Sequence, residues 1–193
     1  MIDGSWTRRG LRTLGVVGAA TLALALSSAS AGAATATATF TAGSLAFVSA
    51  PPNVTFNDTL NGTNQTATAT QALDVSDATG SGAGWSLSAT STTFSTGGGT
   101  PILLATNATT IASGPTRACD SGSTCTLATN SVSYPYTLPA AASAPTATKM
   151  FNAAVNTGEG NETVTVTWSL AIPATTQPGT YTSTWTISLA SGP

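Results

Sequence analysis

Val164-Thr165-Val166-Thr167-Trp168-Ser169-Leu170 runs on through Ala171-Ile172-Pro173 and the segment Gln177-Pro178-Gly179-Thr180. It continues into Tyr181-Thr182-Ser183-Thr184-Trp185-Thr186-Ile187-Ser188-Leu189. In the first run the even positions Val164, Val166, Trp168, Leu170 and Ile172 are apolar, and Thr165, Thr167, Ser169 and Ala171 lie between them. In the second run Tyr181, Trp185, Ile187 and Leu189 share one face with Ser183, and hydroxyl residues take the other. A period of two in β-branched and aromatic residues predicts half-buried strands. Pro178-Gly179 between the runs is a turn signal, because proline presets φ and glycine accepts positive φ. Two strands with one apolar face each need a second apolar sheet to cover them.

The rest of the chain reads as further short strands: Ser44–Val48, Val54–Phe56, Gln65–Val75, Trp85–Ala89 and, at an edge because of Pro135, Val132–Leu138. Ile102–Leu104 and Thr109–Ile111 are short apolar pieces. Ala34–Phe40 alternates Ala and Thr and reads as a first edge strand or a loose leader, and Lys149–Val155 as a strand or one helical turn. Outside the N-terminal leader no long segment has a 3.6-residue period. The expected fold is all-β, an antiparallel β-sandwich of many short strands over residues 34–193.

Residues 1–33 read as a signal peptide. Arg8, Arg9 and Arg12 form a basic start, Leu14–Leu26 an apolar run of 13 residues, and Ala31-Gly32-Ala33 a small-residue cleavage site. That run is short for a membrane span, so no membrane anchor is expected after cleavage. Arg8-Arg9 hints at twin-arginine export, and Sec-type export fits the flanking residues better. Two basic residues, Arg117 and Lys149, then face six acids, Asp58, Asp74, Asp77, Asp120, Glu159 and Glu162, for a mature charge of −4. Such a balance argues against nucleic acid and anionic membranes as partners. Cys119 and Cys125 in an exported chain are expected to form a disulfide.

The chain has no histidine. Ser-His-Asp, Cys-His and His-metal chemistry are therefore excluded, and neither a cofactor nor a metal is expected. Gly97-Gly98-Gly99 lacks the Lys-Ser/Thr of a phosphate loop. Asp74 with Asp77, and Glu159 with Glu162, are each three apart. Such pairs could serve glycoside hydrolysis or calcium, or be ordinary turn residues. Six Asn-x-Thr sequons, at Asn53, Asn57, Asn61, Asn64, Asn107 and Asn161, follow from the abundance of threonine.

Trp85-Ser86-Leu87 and Trp168-Ser169-Leu170 repeat a W-x-L spacing that places both large side chains on one strand face. They are read either as core or as an aromatic platform for a polysaccharide, together with Tyr181 and Trp185. The chain resembles the WxL-domain cell-surface proteins of Gram-positive bacteria. The matching stretches are Gly43–Phe47 with Pro52 and Phe56, Gln65–Ala69, Val75–Leu87, and Ile172–Ala174 with Gly179–Thr184. The second W-x-L of that family lies in its final strand; here Ile187 stands at the tryptophan position and Trp185 two residues earlier, a divergent pattern. The resemblance implies an exported β-rich domain attached non-covalently to the cell wall, through peptidoglycan or another wall glycan, beside other surface proteins. Two other readings stand next to it: a structural or partner-docking subunit of a surface assembly, and a secreted carbohydrate-active enzyme using the four carboxylates.

Overall fold

The computed structural model describes residues 34–193, so the expected leader lies outside the described residues. Phe40–Pro193 form one unit. Residues 34–39 are exposed and carry no strand, contrary to the edge-strand reading of Ala34–Phe40. Their apolar face is alanine, which offers little area to bury.

The described residues form an all-β fold of two sheets whose pairings are antiparallel but for one. Strands β1 (Leu45–Phe47), β2 (Gln65–Asp77), β4 (Thr109–Ile111), β5 (Thr116–Cys119), β6 (Tyr136–Thr137) and β9 (Gly160–Ile172) build the first sheet. Strands β3 (Trp85–Thr92), β7 (Ala140–Ala141), β8 (Thr148–Ala153) and β10 (Trp185–Ser191) build the second. β7 pairs with β3 in parallel. The two central strands of the first sheet, β2 and β9, pair along their whole length, from Gln65 opposite Ile172 to Asp77 opposite Gly160. In the second sheet β3 carries β10 on one side and β8 on the other. This is an arrangement consistent with a β-sandwich.

Alternation decides which face is core. Leu73 and Val75 of β2, and Val164, Val166 and Trp168 of β9, point inward, and the hydroxyl residues between them point out. Trp85, Leu87, Ala89, Met150 and Phe151 meet them from the second sheet. β9 and β10, the two runs flanking Pro178-Gly179, lie in opposite sheets and face each other through their tryptophans.

Several sequence expectations are corrected. Val54–Phe56 joins no ladder: pairing with β2 stops after the Val48 N–H to Asp74 carbonyl bond of 2.9 Å, and Pro51 and Pro52 follow without an N–H to extend it. Val132–Leu138 shrinks to the two residues of β6. Of Lys149–Val155, the residues up to Ala153 belong to β8, with Phe151, Asn152 and Ala153 buried, and Val155 falls in the exposed turn that follows. Tyr181–Thr184 precedes β10 and meets the second sheet through a bridge from Thr182 to Ser95 and through hydrogen bonds of Ser183 and Thr184 to Thr92. The Cys119–Cys125 disulfide is present, with Cα atoms 5.6 Å apart, and closes the loop after β5.

Trp85 is fully buried, and its Nε1–H donates to the Gly158 carbonyl at 2.8 Å. Gly158 has φ +74°, and a Cβ there would stand 2.5 Å from Trp85 Nε1. Trp85→Ala is expected to lower stability by about 3–5 kcal/mol, and Gly158→Ala by about 1–3 kcal/mol through strain and overlap. Urea denaturation followed by tryptophan fluorescence measures both, and an unchanged midpoint would contradict this packing.

Candidate functional site

The strands of the first sheet outrun those of the second. β2 and β9 have 13 residues each, whereas β3 has 8 and β10 has 7. Five residues of overhang amount to about 17 Å at the usual rise per residue. The overhanging inner face carries Ala67, Gln71, Leu170 and Ile172. Strandless segments cover it, chiefly residues 51–60 and 176–183, and between them lies an open groove of about 1310 Å³.

Half-buried aromatic rings stand at its wall. Phe56 and Phe94 meet edge to face at 6.1 Å, Phe94 and Trp185 likewise at 6.3 Å, and Phe56 lies 6.3 Å from Trp185. Beneath them Trp185 packs edge to face on Trp168 at 4.8 Å. Tyr181 lines the same groove, and its hydroxyl donates to the Gln177 carbonyl at 3.0 Å. Asn53, Asn57, Thr59, Thr180 and Gln177 add neutral polar groups; among the described residues Asp58 is the one charged side chain in the lining.

Gln71 holds this wall in place. Its Oε1 accepts from Trp168 Nε1–H at 3.0 Å, and its Nε2–H donates to the Pro52 carbonyl at 2.7 Å. At the other end Gln65 Nε2 donates to Asp58 Oδ1 and to the Thr59 carbonyl, at 3.0 and 2.9 Å. Two glutamines thus replace the ladder that the prolines forbid.

The structure separates the six sequence candidates. Trp85 and Leu87 are core residues with no exposure, and Trp168 is likewise buried. Leu170 is 5% exposed and forms part of the groove floor. Tyr181 and Trp185 reach the groove itself. Sequence reasoning did not single out Phe94, Leu104 or Gln71 for the site. Phe94 lies just beyond β3, where the strand pattern has ended, and a buried glutamine has no sequence signature.

The carboxylates do not assemble as the three-residue spacings suggested. Asp74 lies on the outer face of β2 and Asp77 on the inner one, where its Oδ1 accepts from the N–H and hydroxyl of Thr79. Asp74 instead stands beside Asp120, whose Oδ1 accepts from the Thr163 hydroxyl at 2.8 Å. Burial raises the Asp74 carboxyl above its ordinary range, and the charge and hydrogen bond of Asp120 raise it further. Glu162 is fully buried. Burial pushes its carboxyl up, while the Ala128 N–H at 2.9 Å and the charge of Arg117 pull it down. Glu159 lies on the Thr126 bridge, away from the groove.

Among the described residues no group of three acidic, cysteine or histidine side chains is placed to hold a metal, and no helix is long and apolar enough to cross a membrane. Compared with protein-family models, curated proteins and solved structures, the chain matches none. The likeness to WxL domains rests on the residues quoted for it.

Glu162 and Asp74 bind their protons more tightly in the folded chain than in the unfolded one. Their contribution to stability is full below the ordinary values of 4.5 and 3.8, and is lost as pH rises through the higher folded values. Glu162→Gln keeps an acceptor for the Ala128 N–H without a charge to bury. It is expected to raise the unfolding midpoint at pH 7 and to make no difference at pH 4. Thermal unfolding across that range checks this, and a lower midpoint at pH 7 would show that the charged form is the favoured one.

Proposed function

We propose that this chain is an exported, non-catalytic domain of the WxL type that attaches non-covalently to the bacterial cell wall and seats a wall glycan in the groove. In this reading residues 1–33 direct export and residues 34–193 are a β-sandwich. The observation that carries it is the groove: four half-buried aromatic rings beside a rim of amides and hydroxyls, with one carboxylate and no basic residue among the described residues of the lining. Sugar rings present C–H faces that lie against aromatic rings, and hydroxyls that exchange hydrogen bonds with amides. The absence of a basic lining residue disfavours phosphate-rich wall polymers, which need cationic partners. Peptidoglycan strands are the better fit, in line with what the resemblance implies.

Trp85 and Trp168 serve this function indirectly. They fill the core, and Trp168 supports Trp185 and Gln71 beneath the groove. The carboxylate pairs are given no catalytic role here, because the groove lining contains none of Asp74, Asp77, Glu159 and Glu162.

Co-sedimentation with detergent-washed Gram-positive walls tests the proposal. The protein is expected to pellet with the walls at low and high salt alike, since its contacts are not ionic. Tyr181→Ala, whose side chain lines the groove and is absent from the main core cluster, is expected to weaken binding about tenfold, or about 1.4 kcal/mol, with little change in unfolding midpoint. Failure of the unmodified protein to pellet, or full binding by the variant, would count against the groove as the wall site.

A further inference from the structure

The strand edges of this fold are guarded, with one exception. β1 has three residues and stops at Pro51-Pro52. The open flank of β2 is covered by residues 52–61, tied down by Gln71 and Gln65. β5 follows Pro115, carries Arg117 and ends in the disulfide. β6 and β7 have two residues each. β8 carries Lys149 and a register shift against β3, and Tyr134, Asn130 and Thr129 hydrogen-bond along it. Short strands, proline, charge, bulges and covering loops are the devices by which sheets avoid pairing with other chains.

β10, Trp185-Thr186-Ile187-Ser188-Leu189-Ala190-Ser191, lacks these devices, although β1 of the first sheet lies near it without pairing. It is seven residues long, with no proline, no charge and an unbroken register to β3. The Thr184 carbonyl accepts from the Thr92 N–H, and the Gly192 N–H donates to the Gly84 carbonyl, both at 2.9 Å. The even-numbered residues therefore bond toward β3, and by the alternation of an antiparallel ladder the odd ones turn their N–H and C=O groups to the free side. These are Trp185, Ile187, Leu189 and Ser191. Among the described residues nothing hydrogen-bonds to them on that side. The side chains of Trp185, Ile187 and Leu189 also remain half exposed along this edge.

We infer that this edge pairs with the same edge of a second copy of the chain. A two-fold axis at Ser188 sets Ser188 opposite Ser188 of the second copy. It also sets Ile187 against Leu189, and Trp185 against Ser191, of that copy. In this register every outward-facing residue meets another outward-facing residue. The N–H of Ile187 donates to the carbonyl of Leu189 in the second copy, and the reverse bond forms in the same pair. On the inner face Ile187 and Leu189 of the two copies cover one another, so both half-exposed side chains leave water. An uncharged strand meets no repulsion from its copy, and closed two-fold pairing leaves no edge free to propagate. Trp185, Thr186 and Ile187 also line the groove, so the pair places two grooves along one seam. The pairing itself is independent of what the groove binds.

Analytical ultracentrifugation of the protein tests it, with Ser188→Lys and Ser188→Glu made separately. Ser188 is exposed on the outer face, and its hydroxyl makes only a 3.5 Å contact to the Ser88 carbonyl, so each variant keeps the fold of a single copy. The unmodified protein is expected to show a concentration-dependent monomer–dimer equilibrium. Each variant alone sets like charges opposite one another and is expected to weaken the dimer about tenfold or more. An equimolar mixture of the two is expected to recover it. Amide hydrogen exchange of the unmodified protein should slow at Ile187 and Leu189 as concentration rises. A monomer throughout the micromolar range, or a dimer indifferent to both variants, would overturn the proposal.

Discussion

The hydrogen bond from Trp168 Nε1–H to Gln71 Oε1, 3.0 Å long and fully buried, is the joint on which the rest of this structure depends. Trp168 sits on β9 and Gln71 on β2, so the bond crosses the central pair of the first sheet. The tryptophan ring supports Trp185 from the second sheet, and the glutamine's other end holds the Pro52 carbonyl. One side-chain pair thus ties together both sheets and the segment that walls the groove. A buried amide left without a partner costs about 1–3 kcal/mol. That cost makes Gln71 a specific requirement of the site, beyond its contribution to the core.

The groove is a consequence of unequal strand lengths. Thirteen-residue strands backed by strands of seven and eight leave an apolar shelf. Regular pairing over that shelf is blocked on one side by Pro51-Pro52 and on the other by Pro173 and Pro178, which lack the N–H a ladder needs. Aromatic residues cover the shelf without sealing it. The proline that keeps the shelf open also protects the β2 flank from other chains, whereas β10, which has no such guard, remains free to pair.

The electrostatics are those of a chain with few charges. Its thick threonine and serine surface is hydrated through hydroxyls, and the carboxylates that are retained tend to sit in turns or against neighbours. Asp77 closes a turn through Thr79, and Glu162 anchors the segment after the disulfide through the Ala128 N–H. Neither arrangement could be read from residue spacing. Three residues along a strand put two side chains on opposite faces, so Asp74 and Asp77 diverge, as they must at a period of two.

The sequence by itself determined the all-β class, the inward faces of β2, β3, β9 and β10, the Cys119–Cys125 bridge and the absence of histidine-based chemistry. Each of these is a local property: alternation, composition or a short loop. The tertiary structure alone decided that β9 and β10 would lie in opposite sheets, that Trp85 and Trp168 would be core while Trp185 and Tyr181 reached a groove, and that Phe56 and Phe94 would join them there. It also decided that Val54–Phe56 would join no ladder and that Lys149–Ala153 would be strand, with Val155 in the turn after it. The physical reason is that period-two alternation tells which face of a strand is apolar, but does not tell which strand will cover it or for how many residues. Burial at a given position depends on that covering length, and covering length is a property of two segments distant in sequence.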